Sequence, residues 1–176
     1  MGLHTLSFAA MGSACGIHLY ADSIHAANVT AEAAIREVER LEHRYSRYRA
    51  DSVLSQINAV AAQGGSLSVD EETAGLLDYA FACYRKSDGL FDITSGLLRK
   101  GWNFSKPRLP SQNEIDRLLP LVGLNKLTWK SPRLDTPIPG MEIDFGGIVK
   151  EYAADRARDM CIDLGISEGV VESEKT

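Results

Sequence analysis

The chain has 176 residues, of which 44% are hydrophobic and 24% are charged, as is ordinary for a globular protein with one substantial core. Its formal net charge of −5 comes without a run of lysines or arginines, so charge alone would recruit neither nucleic acid nor an anionic membrane. The three cysteines are widely spaced and form no CxxC pair, so neither a disulfide framework nor a zinc site is indicated.

The first half of the chain contains extended and helical patterns in turn. Residues 4–21 alternate loosely around a Met-Gly break, which predicts two short strands or one strand with a bulge. Apolar residues at helical spacing predict a long amphipathic helix from Ser23 to Arg44. Asp51 or Ser52 can cap a second helix, and the acidic turn after Asp70 begins a third.

The second half predicts shorter elements separated by turns, with an extended segment that becomes helical before Trp102 and then a loop. The elements that follow are a short helix capped by Ser111, strands at 125–130 and 141–146 around a turn-rich segment, and a helix from Gly147 to Leu164. Strands and helices interleave without a regular βαβ repeat. The predicted class is therefore α+β, with a mixed or antiparallel sheet and packed helices.

One more strand is predicted at 164–171, and the chain then ends in polar residues. No later segment of the sequence can pair with that strand. We therefore expect an exposed sheet edge and some self-association.

The junction between the predicted strand at 141–146 and the last helix has the features of a phosphate site. A glycine pair that ends at Gly147 lets the backbone pass close to a ligand, and the start of a helix offers unpaired N–H groups to an anion. Lys150 is placed to meet such an anion, with Asp144 before it and Asp155 after it. The alternative is a tight turn with a surface lysine.

Three other stretches carry weaker signals. Asp92 and Thr94 alternate with apolar residues, so they could hold a ribityl chain, a ring edge or a metal-bound water, or they could satisfy local backbone groups. Residues 44–58 begin with tyrosines and arginines suited to stacking on an aromatic ring, although a plain helix end explains them too. Met11 and Gly12 fit a bulge with a core methionine.

Taken together, four stretches resemble the ApbE family, the FAD:protein FMN transferases, in order and spacing: FAAMGSACGIHLYA, RYSRYRADSVLSQIN, GLFDITSGLLRKGW and IDFGGIVKEYAADRA. The resemblance extends to about Val171, so we predict a single domain over 1–176 with 172–176 as a polar tail outside the family pattern. It implies a fold related to the tunnelling folds and FAD as substrate. It also implies magnesium as cofactor and transfer of FMN to a Ser or Thr of an acceptor protein, with release of AMP.

The resemblance also implies roles for individual residues. Met11 and Tyr48 are expected at the flavin and adenine rings, Lys150 near the FAD phosphates, and the carbonyl around Gly147 on the magnesium. The polar lining of the pocket and the carboxylates that frame the junction are expected from Asp92, Thr94, Asp144 and Asp155.

The sequence departs from the family pattern in two ways. Glu151 stands where many members have glycine, and the glycine-rich strand, the Asp/Thr pair and the histidine of the family's later half have no counterpart. A chain truncated after the first half is therefore expected, and with it weak FAD binding. The alternatives are a non-enzymatic FAD-binding or vestigial module and a magnesium-dependent FAD pyrophosphatase. Without a convincing signal peptide, the expected location is cytoplasmic, although family members are often periplasmic or membrane-anchored.

Overall fold

A computed structural model describes residues 1–102 and 109–173, which form two compact units. The terminal unit comprises residues 1–45 and 148–173, and the central unit comprises residues 46–147. Most of the loop predicted after Trp102 lies outside the described residues. The assignment of the whole chain to one domain stays a prediction.

The described helices and strands confirm the α+β class. In chain order they are β1 (Gly2–Ala10), β2 (Ser13–Ala21), α1 (Ile24–Tyr45), α2 (Val53–Ala61), β3 (Gly65–Ser68), α3 (Glu71–Lys86), α4 (Gln112–Leu118), β4 (Thr128–Lys130), β5 (Arg133–Thr136), α5 (Val149–Asp163) and β6 (Gly169–Ser173). Short 3-10 segments cover Ser95–Gly101, Leu119–Leu121 and Leu124–Lys126. Among the described helices, none is both long and apolar enough to cross a membrane.

The terminal unit contains an antiparallel sheet in the order β1-β2-β6, with α1 and α5 packed together beside it. The buried residues of both helices include many alanines, and small side chains allow packed elements to approach closely. Ala27, Ala31, Ala34, Ala153 and Ala157 are each at most 2% exposed. The predicted helix from Ser23 to Arg44 is confirmed as α1, whose buried residues recur every three or four positions.

The pairing of β6 corrects one expectation. We expected the last strand to lack a partner, but β6 pairs antiparallel with β2, from Leu19 opposite Gly169 to Cys15 opposite Ser173. The partner comes from the beginning of the chain, so a search of the later sequence could not find it. Within the described residues β6 has a neighbour on one side only. Self-association through its other edge stays a prediction.

The central unit contains a smaller antiparallel sheet in the order β3-β5-β4 with helices α2 to α4. Two predicted caps are confirmed, because the side chains of Ser52 and Ser111 each accept a hydrogen bond from a backbone N–H in the first turn of the helix that follows. Asp70 caps α3 in the same way. Strand β5 lies in the turn-rich segment between the predicted strands at 125–130 and 141–146, and β3 was not predicted. They form because Gly65–Ser68 and Arg133–Thr136 pair with each other over four residues.

The strand predicted at 141–146 is wrong. The segment buries Met141, Ile143 and Phe145, each at most 2% exposed, but it is not a strand and belongs to neither described sheet. Instead, the Asn58 side chain holds the backbone of Ile143. Its amide nitrogen donates to the Ile143 carbonyl at 2.9 Å, and its oxygen accepts from the Ile143 N–H at 2.8 Å.

Candidate functional site

Met11 lies at the tip of the β1-β2 hairpin, in a strained turn. The ladder closes at Ala10 opposite Ser13, so Met11 and Gly12 form the whole loop, both with positive φ (53° and 73°). Such a φ is uncommon for a residue other than glycine. The Met11 N–H donates to Glu42 Oε1 of α1 at 2.7 Å, which holds the turn in this conformation.

A shallow apolar recess in the terminal unit lies next to this turn. Its cavity volume is about 20 Å³, roughly the space of one water molecule, and its lining includes Met11, Cys15 and Lys150. Lys150 is the second residue of α5, and its ammonium donates to Ser13 Oγ at 2.7 Å. Because no carboxylate in the described part of the chain forms an ion pair with Lys150, its charge can meet an external anion.

Asp155 lies apart from the recess in this unit. Its side chain is 65% exposed and accepts a hydrogen bond from Arg158 Nη1 at 2.9 Å, one turn further along α5. It is not among the residues that line the recess. The structure therefore pairs Asp155 with a surface arginine, and its contact with FAD stays a prediction.

In the central unit, Tyr48 and Asp144 are brought together through Arg47. Arg47 Nη1 donates to Asp144 Oδ2 at 2.6 Å, and Nη2 donates to the Tyr48 hydroxyl at 2.7 Å. The guanidinium carbon also lies 4.9 Å from the centroid of the Tyr48 ring. The hydrogen bond to Tyr48 and the contact with Asp144 raise the pKa of Arg47 above its ordinary value, against the effect of partial burial.

Asp144 is fixed on its other sides by backbone groups. Its N–H donates to the Ile93 carbonyl at 2.8 Å, and its Oδ1 accepts from the Gly146 N–H at 2.9 Å. A β-carbon on Gly96 would lie only 2.6 Å from the Asp144 β-carbon. A β-carbon on Gly147 would lie 3.1 Å from the Phe91 ring, which would have to shift by a few tenths of an ångström, so the steric requirement for glycine is stronger at position 96.

We expect Gly96→Ala to lower the free energy of unfolding of the central unit by about 1–3 kcal/mol, because the new methyl group must displace the Asp144 segment. Gly75→Ala is the matched control. Gly75 is exposed on α3 with no atom within 4 Å of an added β-carbon, so alanine there should be neutral or stabilising by up to about 1 kcal/mol. Urea unfolding monitored by tryptophan fluorescence measures both; equal effects would contradict the close contact at Gly96.

Asp92 and Thr94 contact each other and the turn that begins at Gly123. Asp92 Oδ1 accepts from the Thr94 N–H and hydroxyl at 2.7 and 2.6 Å, and Oδ2 accepts from the Leu124 N–H at 2.9 Å. The Thr94 oxygen accepts from the Gly123 N–H at 2.7 Å, and Thr94 is fully buried. Of the two roles left open by the sequence, these contacts correspond to the satisfaction of backbone groups. Ligand binding by the pair stays a prediction.

The described residues do not assemble a magnesium site. Magnesium needs about six oxygen ligands, and no group of three or more His, Cys, Asp or Glu side chains within 1–102 and 109–173 is arranged to hold a metal ion. Asp144, which precedes the proposed carbonyl ligand Gly147, is already engaged by Arg47.

Comparison with known proteins decides the family. The model of the ApbE family matches residues 11–174. The chain belongs to the ApbE family. The FAD:protein FMN transferase of Escherichia coli K12 is 31% identical over 137 residues, which are 72% of this chain and 38% of that protein. The FAD:protein FMN transferase of Vibrio cholerae is 27% identical over 141 residues, or 78% of this chain and 42% of that protein.

Solved structures agree with this assignment. The ApbE protein of Thermotoga maritima superposes with a TM-score of 0.85 at 29% identity, over 98% of this chain and 57% of that chain. The flavinyl transferase ApbE of Pseudomonas stutzeri gives a TM-score of 0.86 at 25% identity, over 98% of this chain and 58% of that one. The ApbE-family chain thus spans about two fifths of the two curated relatives named above and somewhat more than half of these structures.

Several residues around the predicted site of this ApbE-family chain were not singled out from the sequence. Ser13 and Glu42 hold Lys150 and Met11, and Arg47 joins Tyr48 to Asp144. The nearest signals were the GSAC stretch and the cluster of arginines and tyrosines after residue 43, which identified a region without indicating any pairing. Partners far apart in sequence cannot be read from spacing within one element.

Glu142 is a further buried acidic group of the central unit. It is 9% exposed, its Oε2 lies 2.6 Å from Lys100 Nζ, and its Oε1 accepts from Arg99. Burial raises the pKa of this carboxyl, but the hydrogen bonds from Lys100 and Arg99 lower it by more, so the net pKa lies below its usual value. The charged Glu142 side chain therefore connects the 3-10 segment Ser95–Gly101 to residues 141–145.

Proposed function

We propose that this chain is an FAD:protein FMN transferase, which moves FMN from FAD to a Ser or Thr hydroxyl of an acceptor protein and releases AMP. The observation that carries the proposal is the family match over residues 11–174, which includes three of the four sequence stretches on which the resemblance rests and the first from Met11 onward. The curated relatives that match this chain are named for this activity.

The chemistry is a transfer of a phosphoryl-linked group. The acceptor oxygen forms a bond to the phosphorus on the FMN side of FAD, the bond from that phosphorus to the bridging oxygen breaks, and AMP leaves with that oxygen. The acceptor hydroxyl loses its proton. Such a step requires positive charge close to the phosphate oxygens.

Lys150 is the residue that best supplies this charge. It lies in the first turn of α5, where Ile148 at the N-cap provides no side-chain acceptor for the free N–H groups of the helix. Ser13 is 5% exposed, and its Oγ accepts a hydrogen bond from the Lys150 ammonium, which fixes the direction of the lysine side chain. The Lys150 ammonium and the free N–H groups at the start of α5 are therefore both available to bind an anion.

The remaining residues of the proposal are Met11 and Tyr48 at the rings of FAD, with Asp92, Thr94, Asp144 and Asp155 as polar surroundings. A magnesium requirement and the Gly147 carbonyl ligand are proposed from the family resemblance alone. Because the described residues provide one ammonium for two phosphates and no complete magnesium site, we expect FAD binding to be weak but saturable.

The test measures binding and products separately. The chain is titrated with FAD with and without magnesium, using flavin fluorescence, and is then incubated with FAD and a mixture of acceptor proteins. We expect AMP to appear in equal amount to flavin that stays on protein after denaturation. Free FMN together with AMP would identify a pyrophosphatase, and binding without AMP would identify a binding module. Absence of both binding and AMP would overturn the proposal.

A further inference from the structure

The ring of Tyr48 is highly exposed and yet firmly held. Tyr48 is 84% exposed, so burial contributes almost nothing to its position. Arg47 nevertheless contacts it twice, by a hydrogen bond of 2.7 Å to the hydroxyl and by a guanidinium 4.9 Å from the ring centroid. Holding an exposed side chain in one rotamer costs conformational entropy. An exposed ring fixed at this cost has the character of a binding surface.

Arg47 connects the exposed Tyr48 ring to a buried segment of the backbone through Asp144. The Asp144 side chain that accepts from Arg47 is only 14% exposed, and it lies between Ile143 and Phe145, both at most 1% exposed. Gly96 leaves room for Asp144, as described above, and a β-carbon on Gly146 would lie 3.1 Å from Asp144 Oδ1. The position of the Tyr48 ring therefore depends on a rigid part of the central unit.

The charges of Arg47 and Asp144 limit which part of a ligand can bind beside Tyr48. The guanidinium of Arg47 is neutralised by Asp144 at 2.6 Å, so Arg47 is a poor phosphate ligand. It covers one face of the Tyr48 ring, and the high exposure of the residue leaves surface for a second flat group. Aromatic rings of nucleotides and flavins stack on tyrosine in this way.

We propose that Arg47 is a positioning residue that, braced by Asp144, holds Tyr48 as a stacking platform for a flat ring of FAD. This inference rests on the proposed function, since it names how the same ligand is held. Arg47 acts through Tyr48 and does not itself touch the ligand. Lysine cannot replace it, because an ammonium lacks the planar fork that reaches Asp144 and the Tyr48 hydroxyl together.

The experiment compares binding of FAD, riboflavin and AMP to the whole chain and its variants. Tyr48→Ala should weaken binding of FAD, and of whichever of riboflavin or AMP carries the stacked ring, by roughly tenfold or more. Arg47→Gln and Arg47→Lys should each weaken the same ligands by several-fold and reduce flavin quenching at saturation if the ring is the flavin. Arg49→Gln is the matched control, since Arg49 forms an exposed pair with Asp51 and should leave all three affinities unchanged.

The double variant Arg47→Gln with Tyr48→Ala separates positioning from direct contact. If Arg47 acts only through Tyr48, the double variant binds no more weakly than Tyr48→Ala. If the affinity losses of the two single variants multiply in the double variant, Arg47 contacts the ligand itself, and the inference is overturned. Tryptophan fluorescence melts verify folding; if Arg47→Gln fails to fold, the same comparison is made with Arg47→Lys.

The outcomes distinguish this inference from the proposed function. If FAD binds and Lys150→Ala weakens it while the Arg47 and Tyr48 variants bind normally, the function stands and the stacking platform is overturned. If the unaltered chain binds none of the three ligands, both are overturned. Weakened binding in Arg47→Lys together with a non-multiplying double variant supports the inference.

Discussion

Asn58→Ala is expected to lower the free energy of unfolding of the central unit by about 2–4 kcal/mol. The substitution removes both hydrogen bonds to the backbone of Ile143 and leaves an N–H and a carbonyl without their partner beside a residue that is 1% exposed. Each buried backbone group left unsatisfied costs about 1–3 kcal/mol. Since neither described sheet includes residues 141–146, no ladder hydrogen bonds compensate.

Urea unfolding measured by tryptophan fluorescence is suited to this test, because both tryptophans, Trp102 and Trp129, belong to the central unit. Asn113→Ala is the control. Asn113 is exposed on α4, and its replacement should change the free energy of unfolding by no more than about 0.5 kcal/mol. If Asn58→Ala and Asn113→Ala change the free energy of unfolding by the same amount, the hydrogen bonds from Asn58 to Ile143 contribute nothing to stability.

Lys150→Ala is expected to weaken FAD binding by about 10- to 150-fold, while riboflavin binding changes little. Loss of a charge-assisted contact to the phosphates corresponds to about 1.5–3 kcal/mol, and about 1.4 kcal/mol equals a factor of ten in affinity. Riboflavin carries the ring without a phosphate, so it lacks the group that Lys150 would contact. Parallel titrations of both ligands by flavin fluorescence measure the difference.

Glu151→Ala is the paired control for Lys150→Ala. Glu151 is the next residue of α5 and is exposed, so its removal keeps the helix and takes away a negative charge near the proposed phosphate site. FAD affinity should be equal or somewhat better. Equal losses of FAD and riboflavin binding in Lys150→Ala would mean that the lysine supports the fold through Ser13, and the phosphate assignment would then fail.

The sequence predicted the helices of this chain well because their signals are local. Ser52, Asp70 and Ser111 each cap a helix through a backbone N–H three residues away, and the apolar period of α1 lies within one segment. The family was also predicted from four short stretches, and the match over residues 11–174 confirms it. Motifs of this kind are contiguous, so they can be recognised without knowledge of the fold.

The strands were harder to predict, because a strand depends on a distant partner. Residues 141–146 have the alternation of apolar residues that is typical of a strand, but they pair with no other strand. The Asn58 side chain, 85 positions earlier, forms hydrogen bonds with this backbone instead. Conversely, β3 and β5 have weak patterns and exist because they pair with each other. Likewise, β6 exists because it pairs with β2, a strand near the beginning of the chain.

By itself the sequence determined the α+β class, the approximate bounds of the main helices and the ApbE family. The roles of the candidate site residues stay predictions. Only the tertiary structure decided what those residues contact. It joined Lys150 to Ser13 across 137 positions and Arg47 to Asp144 across 97, and it engaged Asp92 and Thr94 with backbone groups. Local propensity depends on neighbours within a few residues, whereas hydrogen bonds and ion pairs depend on distances in space, which chain folding sets independently of sequence separation.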